Sequence, residues 1–560
     1  MIFVALTWCY AFLTTYILGK MAIRVFVKRD IGVAYTADEI IMCGIVVATV
    51  YAQAFSLCGA VGLYANIVLL LVCTAYVVMK RRELLGEITA VVCAKSKWWM
   101  YFSFPLLFVL WVYFTSRGFI HYDSDLYHAQ SIRWIEEYGV VKGLGNLHER
   151  FAYNSSFFSL SALYSLKFVL GQSMHCMNGF FALILSVACL PLASLWKRRT
   201  FLLSDFARIA AIYYLTTIID EVVSPASDFA VMCVVFYIVI KWLDLLEKKE
   251  KAPSPYAFLC VLCIYALTLK LTAGLLVLLV IKPAVELCKR RKWKEIGIYI
   301  LCGIVVAIPW MLRTITISGW LLYPFAAIDL FAVDWKIPKV FVEVDAMQVK
   351  VWGRALYDIA LIDVPIQQWF PNWFISTLTG TEKILIVGAL ACIVLSVVYL
   401  VFTLIRRDDL DTDILLVMGI LVVAYCFWQV SAPLIRYGYA NVLLLDSVVG
   451  GFFIIKLIEF CKGRKLGSML YYLVLFMLCS YGVYKVIAMG KYVLDTTWQP
   501  FYVQQAPYGV YDLEQYQIGE DIYYYPKYGD RVGYESFPAT PIVMELEYRG
   551  DGIKDGYRRP

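Results

Sequence analysis

The chain has 560 residues; 61% are hydrophobic, only 17% are charged, and the mean hydropathy is +0.71. Soluble domains run at about 45–50% apolar and about 25% charged, so the composition argues against a water-soluble enzyme and excludes a disordered chain. The formal net charge of +7 is modest, and an aromatic content of 16%, with 41 Tyr and 16 Trp, suits membrane interfaces and sugar binding better than nucleic acid.

In chain order, apolar runs of about 20 residues, the length that spans a bilayer, begin near residues 1, 39, 60, 98, 174, 204, 228, 256, 271, 295, 383, 414, 439 and 467. They predict an all-α polytopic membrane protein with about fourteen transmembrane helices. The first nineteen residues have neither a basic leader nor a small-residue cleavage site and read as a retained helix. Basic clusters assign the sides. Lys28-Arg29, Lys80-Arg81-Arg82, Lys95/Lys97, Lys197-Arg198-Arg199, Lys248-Lys249, Lys289 to Lys294, Arg406-Arg407 and Lys462 to Lys465 all face the cytoplasm if the N-terminus is outside. Loops at 116–153, 220–228 and 313–383 and the tail from Lys491 then lie on the outer face of a cell membrane. Two segments resist simple crossing. Asn154–Leu170 reads as an interfacial or re-entrant helix, and Tyr256–Ile281 as two short helices with Lys270 near the outer turn. The cysteines, such as Cys233, Cys263 and Cys392, sit in apolar runs as packing residues.

The first outer loop, HYDSDLYHAQSIRWIEEYGVVKGLGNLHERFAYNSS, holds three of the four histidines, His121, His128 and His148. Leu126, Ala129, Ile132 and Ile135 recur at helical spacing, with Asp123 or Ser124 as N-cap. Capping alone is the plain reading of Asp123 and Asp125. Two carboxylates at the mouth of a membrane helix, with His128 one turn on and His148 and Arg150 beyond a glycine turn, also suit glycosyl transfer. A carboxylate there takes the proton of an acceptor hydroxyl as the new bond forms. A divalent metal shared by Asp123 and Asp125 is an open alternative; the residues indicate no other cofactor, and no nucleotide-binding fingerprint is visible.

A lipid-phosphate donor needs fixed cations for its leaving group. Lys270, Arg313, Arg150 and Arg436 lie near outer helix ends, where the plain reading is a snorkelling cation. Arg436 stands out because Tyr437 and Gly438 follow it. Asp220, Glu221 and Asp228 form a second acidic loop, read either as a hairpin or as sugar-hydroxyl ligands. Asp446 sits within an apolar run, where an acid usually has a partner. Trp320, Tyr323, Trp335, Trp369 and Trp373 either stack on sugar or, for the last two, anchor at the interface. The tail, rich in Tyr and Gly, predicts short strands or turns.

With these residues in view, the layout resembles the GT-C superfamily of integral-membrane glycosyltransferases. The window His121–Phe158 is similar to an uncharacterised bacterial family of polytopic proteins with D-x-x-x-Y-H (Asp123 to Tyr127-His128), G-L-x-N-L-H-x-R (Gly143 to Arg150) and N-S-S (Asn154 to Ser156) elements. SPASDF, SGWLLYP, DWKIP, RYG at Arg436 and DGYR at Asp555–Arg558 are further similar pieces. The resemblance implies extra N-terminal helices at 1–97, a GT-C-like core at 98–490 and an outer tail at 491–560. It also implies a polyprenyl-phosphate sugar donor, a glycan, lipid or protein acceptor, and Asp123 as the acid/base. Asp125 departs from the small residue the pattern has there. The expected site is Asp123 and Asp125 as catalytic groups, with His128, His148, Arg150, Asp228, Lys270, Arg313, Arg436 and Tyr437 binding substrate. Two alternatives are a polymerase joining lipid-linked repeats, which would favour Arg-rich long loops, and a transporter or flippase, which would favour internal symmetry.

Overall fold

The computed structural model describes residues 1–27, 33–93, 98–118, 120–406, 411–461, 465–495 and 501–560. The basic pairs Lys28-Arg29 and Lys95/Lys97, with Arg407 and Lys462 to Arg464, lie outside them.

Helices dominate, as the apolar runs require. Eleven helices among the described residues are long and apolar enough to cross a membrane: Ile2–Val27, Ala37–Ser56, Leu63–Gly86, Met177–Arg198, Ser227–Glu247, Leu271–Lys289, Trp293–Ser318, Gly380–Ile405, Thr412–Ser431, Ile435–Phe460 and Leu466–Leu494. The expected fourteen also counted runs near 98, 204 and 256. Their apolar helical stretches are shorter: Phe102–Ser116 within the Trp98–Ser116 helix, Leu203–Thr217 and Pro253–Leu269. At 1.5 Å per residue, such pieces reach about 22–26 Å, less than the ~30 Å hydrocarbon core. Asn154–Leu170 contains an eight-residue helix, Ser156–Leu163, every residue of which is buried. Lys270 is extended (φ −159°, ψ 132°) and breaks the 253–289 run into two helical pieces, as the charge pattern predicts.

Local chemistry sets ends and contacts. Thr36 and Glu39 form a reciprocal cap, with the Thr36 N–H donating to Glu39 at 2.7 Å. Gly19 and Gly44 let the Ile2–Ala22 and Ala37–Ser56 helices pack backbone to backbone: a Cβ on Gly44 would stand 1.7 Å from the Thr15 carbonyl oxygen.

The N-terminus meets the start of the tail. The Met1 ammonium donates to the Phe501 and Gln504 carbonyls (2.7 and 2.8 Å). The tail forms an antiparallel hairpin, Leu513–Ile518 with Asp521–Pro526, turning through Gly519 at φ +62°, and a short second pairing of Glu547–Tyr548 with Tyr557–Arg558. An apolar cluster of Trp134, Leu147, Trp320, Ile337, Tyr523 and Tyr557 joins the first loop, the third loop and the tail into one cap. Arg198–Asp205, Arg208–Asp244 and Lys282–Asp413 pair at the opposite helix ends.

Candidate functional site

Four segments far apart in sequence converge beneath this cap. The first follows the Trp98–Ser116 helix. Gly118, at φ +126°, comes so close to the second acidic loop that a Cβ would stand 2.4 Å from the Asp220 carbonyl oxygen. The His121 N–H donates to Ser224 Oγ (2.7 Å), and a π-helical turn, Ser124–His128, begins directly after Asp123. π-turns cluster at functional sites because they re-aim side chains. Asp123 makes no capping bond; its carboxylate accepts from Arg436 at 2.7 Å instead.

Asp228 supplies the second segment, in the first turn of the Ser227–Glu247 helix, where the helix dipole favours an anion. The approach to that helix is pinned by Asn178, which donates to the Ser224 and Ala226 carbonyls. Lys270 is the third, at the break after Leu269. Its ammonium pairs with Asp228 and stands 3.3 Å from the centre of the Tyr437 ring. Asn154, Ser155 and Ser156 brace that break: Ser155 donates to the Leu269 carbonyl (2.8 Å), Ser156 meets Thr268 (2.9 Å), and Asn154 donates to Trp310 O and Thr314 Oγ1.

Arg436 is the fourth, at the start of the Ile435–Leu444 helix. Two indoles hold its approach: Trp373 donates to the Pro433 carbonyl and Trp428 to the Leu434 carbonyl, both at 2.9 Å. Gly438 lies against Trp428, where a Cβ would come within 2.3 Å. The guanidinium donates to Asp123, to His121 Nε2 (2.7 Å) and to the Tyr437 hydroxyl (3.3 Å), and its Nε lies 3.8 Å from Asp228. Asp123 and Asp228 are 14% and 12% exposed, Arg436 and Lys270 31% and 22%, so the cations form the more accessible side of the cluster.

The electrostatics follow from these neighbours. Burial pushes the Asp123 carboxyl up, but the adjacent Arg436 charge outweighs it and holds the group at about 2. Burial and Arg436 lower His121, and burial lowers His128 to about 3, so both rings are neutral at pH 7. The His121 Nε2 accepts from Arg436, as only an unprotonated ring nitrogen can. Arg150 lies over the Tyr127 ring (5.6 Å) and is close enough to Asp123 to feel its charge. Its guanidinium pairs with no carboxylate among the described residues.

The other expected site residues have different engagements. Asp125 faces the tail: Gly509 N–H and the Tyr511 hydroxyl donate to its carboxylate (3.1 and 2.8 Å), and Val532 and Gly533 N–H donate to its carbonyl. Asp123 and Asp125 therefore present their carboxylates to different partners, and no group of three or more His, Cys, Asp or Glu among the described residues could hold a metal ion. His148 caps a short 3-10 turn by accepting from Arg150 N–H (3.2 Å). His128 packs against Tyr127 and Phe158 and meets Ser124 Oγ at 3.2 Å. Arg313 is buried rather than snorkelling; it donates to Asn154 (3.1 Å) and Ser56, and so ties the Trp293–Ser318 helix to the first loop. Trp320, Trp369 and Trp373 are buried packing residues. His121, Tyr127 and Trp428 are absent from the expected site; His121 and Tyr127 lie close to Asp123 in sequence, which is an available signal, whereas no spacing marks Trp428.

A family model described as a domain of unknown function (DUF8201) matches residues 1–443, more than three quarters of the chain. The chain belongs to this family. The matched stretch contains Asp123, Asp228, Lys270 and Arg436 and stops before the tail. No curated protein and no solved structure matches the chain at a significant level.

Proposed function

We propose that this DUF8201 member is a GT-C-like glycosyltransferase that moves a sugar from a polyprenyl phosphate to a glycan, lipid or protein acceptor on the outer face of the cell membrane. The observation that carries the reading is the convergence of Asp123, Asp228, Lys270 and Arg436 from four separate segments, beside an Arg150 with no anionic partner among the described residues.

The acceptor oxygen attacks the anomeric carbon, the bond from that carbon to the phosphate oxygen breaks, and the acceptor proton passes to Asp123. The departing phosphate gains charge, which Arg436, Lys270 and Arg150 stabilise. Held by Arg436, Asp123 is ionised but a weak base. A donor phosphate that takes over Arg436 loosens that hold and raises the basicity of Asp123 as the acceptor arrives. Tyr127 and Tyr437 supply aromatic faces beside the sugar.

The test uses membranes carrying the wild-type chain or Asp123→Asn, each given radiolabelled polyprenyl-phosphate hexose. Wild-type membranes should move label from the donor lipid to a new product, and Asp123→Asn membranes should not, although the variant inserts normally. Full transfer by Asp123→Asn would remove Asp123 from the chemistry. Single complete repeats accumulating on lipid in a deletion strain would favour the polymerase reading instead.

A further inference from the structure

On the face opposite this cluster, the ends of four helices line an open cavity of about 960 Å3. Its walls come from the end of the Ser227–Glu247 helix, the 249–252 connection, the start of the Pro253–Leu269 helix, the Ile281–Lys289 helix and the start of the Thr412–Ser431 helix. The depth is apolar, with Leu243 and Tyr256 buried and Leu246, Ile281 and Leu416 beside them. The mouth is charged.

The charges at the mouth divide unevenly. Each carboxylate has a partner within the fold: Ser204 donates twice to Glu247 (2.8 and 2.6 Å), Ala252 N–H to Glu250 (2.8 Å), Arg290 to Glu286 (2.6 Å), Ile414 N–H to Asp411 (3.2 Å), and Lys282 pairs with Asp413. Those contacts use Lys282 and Arg290. Lys249, Lys251 and Lys289 line the same mouth, are exposed, and pair with no carboxylate among the described residues. A formally balanced rim thus offers three free ammonium groups above an apolar floor. Cations that merely marked the side of the membrane would not need an open cavity with apolar lining beside them.

We propose that this cavity binds a phosphate carried on a hydrocarbon chain, with the phosphate oxygens on Lys249, Lys251 and Lys289 and the chain against Leu243, Leu246, Tyr256 and Ile281. An anionic phospholipid and a prenyl phosphate share this chemistry. The inference stands apart from the transfer reaction, because none of its residues belongs to the Asp123 cluster.

The test is binding to the purified full chain in detergent, with dioctanoyl phosphatidic acid, farnesyl phosphate, dioctanoyl phosphatidylcholine and inorganic phosphate as probes. Phosphatidic acid, farnesyl phosphate or both should bind, and the preference between them identifies the source. Phosphatidylcholine and inorganic phosphate should bind far more weakly. Lys249→Gln/Lys251→Gln/Lys289→Gln, all surface changes, should weaken the better probe by about a hundredfold, whereas Lys527→Gln, an exposed lysine of the tail, should leave it unchanged. Equal binding of phosphatidylcholine, equal binding of inorganic phosphate, or full affinity in the triple variant would each overturn the proposal. So would an equal loss in Lys527→Gln, which would make the effect one of overall surface charge.

Discussion

The Asp123–Arg436 cluster and the Arg208 cluster at the opposite helix ends use the same residue types and finish differently. Arg208 is closed: it donates to both oxygens of Asp244 (2.7 and 2.6 Å), to the Ala188 carbonyl and to Ser204, while Asp205 is held by Arg198 and its own helix cap. Every Arg208 nitrogen is used, so that guanidinium has no donor left for a ligand and serves to hold helices together. Arg436 spreads its donors over Asp123, His121 and Tyr437, and its buried Nε makes no hydrogen bond. Three cations there, Arg436, Lys270 and Arg150, face two carboxylates, Asp123 and Asp228. A structural cluster completes itself; the other has room for an incoming anion.

The strongest way to break this contrast is Asp123→Asn, expected to lower transfer by about 10²–10⁴-fold in the labelled-donor assay, with the variant still folded. Arg150→Gln is expected to cost about 10²-fold in kcat/KM with Tm unchanged, because no ion pair is lost. Arg208→Leu should do the reverse. It strands Asp244 and costs about 3–5 kcal/mol of stability, read by thermal unfolding in detergent, with transfer per folded molecule unchanged. If Arg208→Leu removed transfer from folded protein, or Arg150→Gln unfolded it, the two clusters would not be divided as their geometry indicates.

Much of the fold was legible because hydrophobic length and charge placement are local signals. The helical break at Lys270 followed from basic residues on both sides of one apolar run, and strands in the tail from its tyrosines and glycines. Several quoted motifs also meet in space: Asn146 donates to the Trp335 carbonyl of DWKIP, Arg559 reaches Asn146 and Glu149, and Tyr557 N–H donates to Lys142 O. Which residues would share the site was less legible. Arg313 and Arg436 look alike as cations at helix ends, yet one is buried against Asn154 and the other faces Asp123, a difference set by packing across hundreds of residues. The fate of Asp125 depended on Gly509 and Tyr511, which no spacing near the first loop encodes.

Acid sharpens the contrast further. The Asp123 carboxyl sits at about 2 when folded, below its ordinary value of 3.8. A lowered acid contributes stability that is complete above the unfolded value and is lost as pH falls through the folded one. The window is therefore about pH 4 to 2, and the contribution about 2 kcal/mol. Thermal unfolding of the wild type across that window should show the loss, and Asp123→Asn should flatten it. Equal slopes in the two proteins would mean that Arg436 does not hold Asp123 in solution.

The smallest effect tests the division of labour inside the first loop. Asp125 holds the tail through Gly509 and Tyr511, and burial raises its carboxyl where Arg436 lowers that of Asp123. Asp125→Asn keeps the shape but turns an amide N–H₂ toward a donor, costing about 1–2 kcal/mol. The expected result is faster proteolysis in the 501–560 segment with transfer reduced only about threefold. Loss of transfer as deep as in Asp123→Asn, with the tail still protected, would make the two carboxylates a reacting pair rather than one reacting group and one latch.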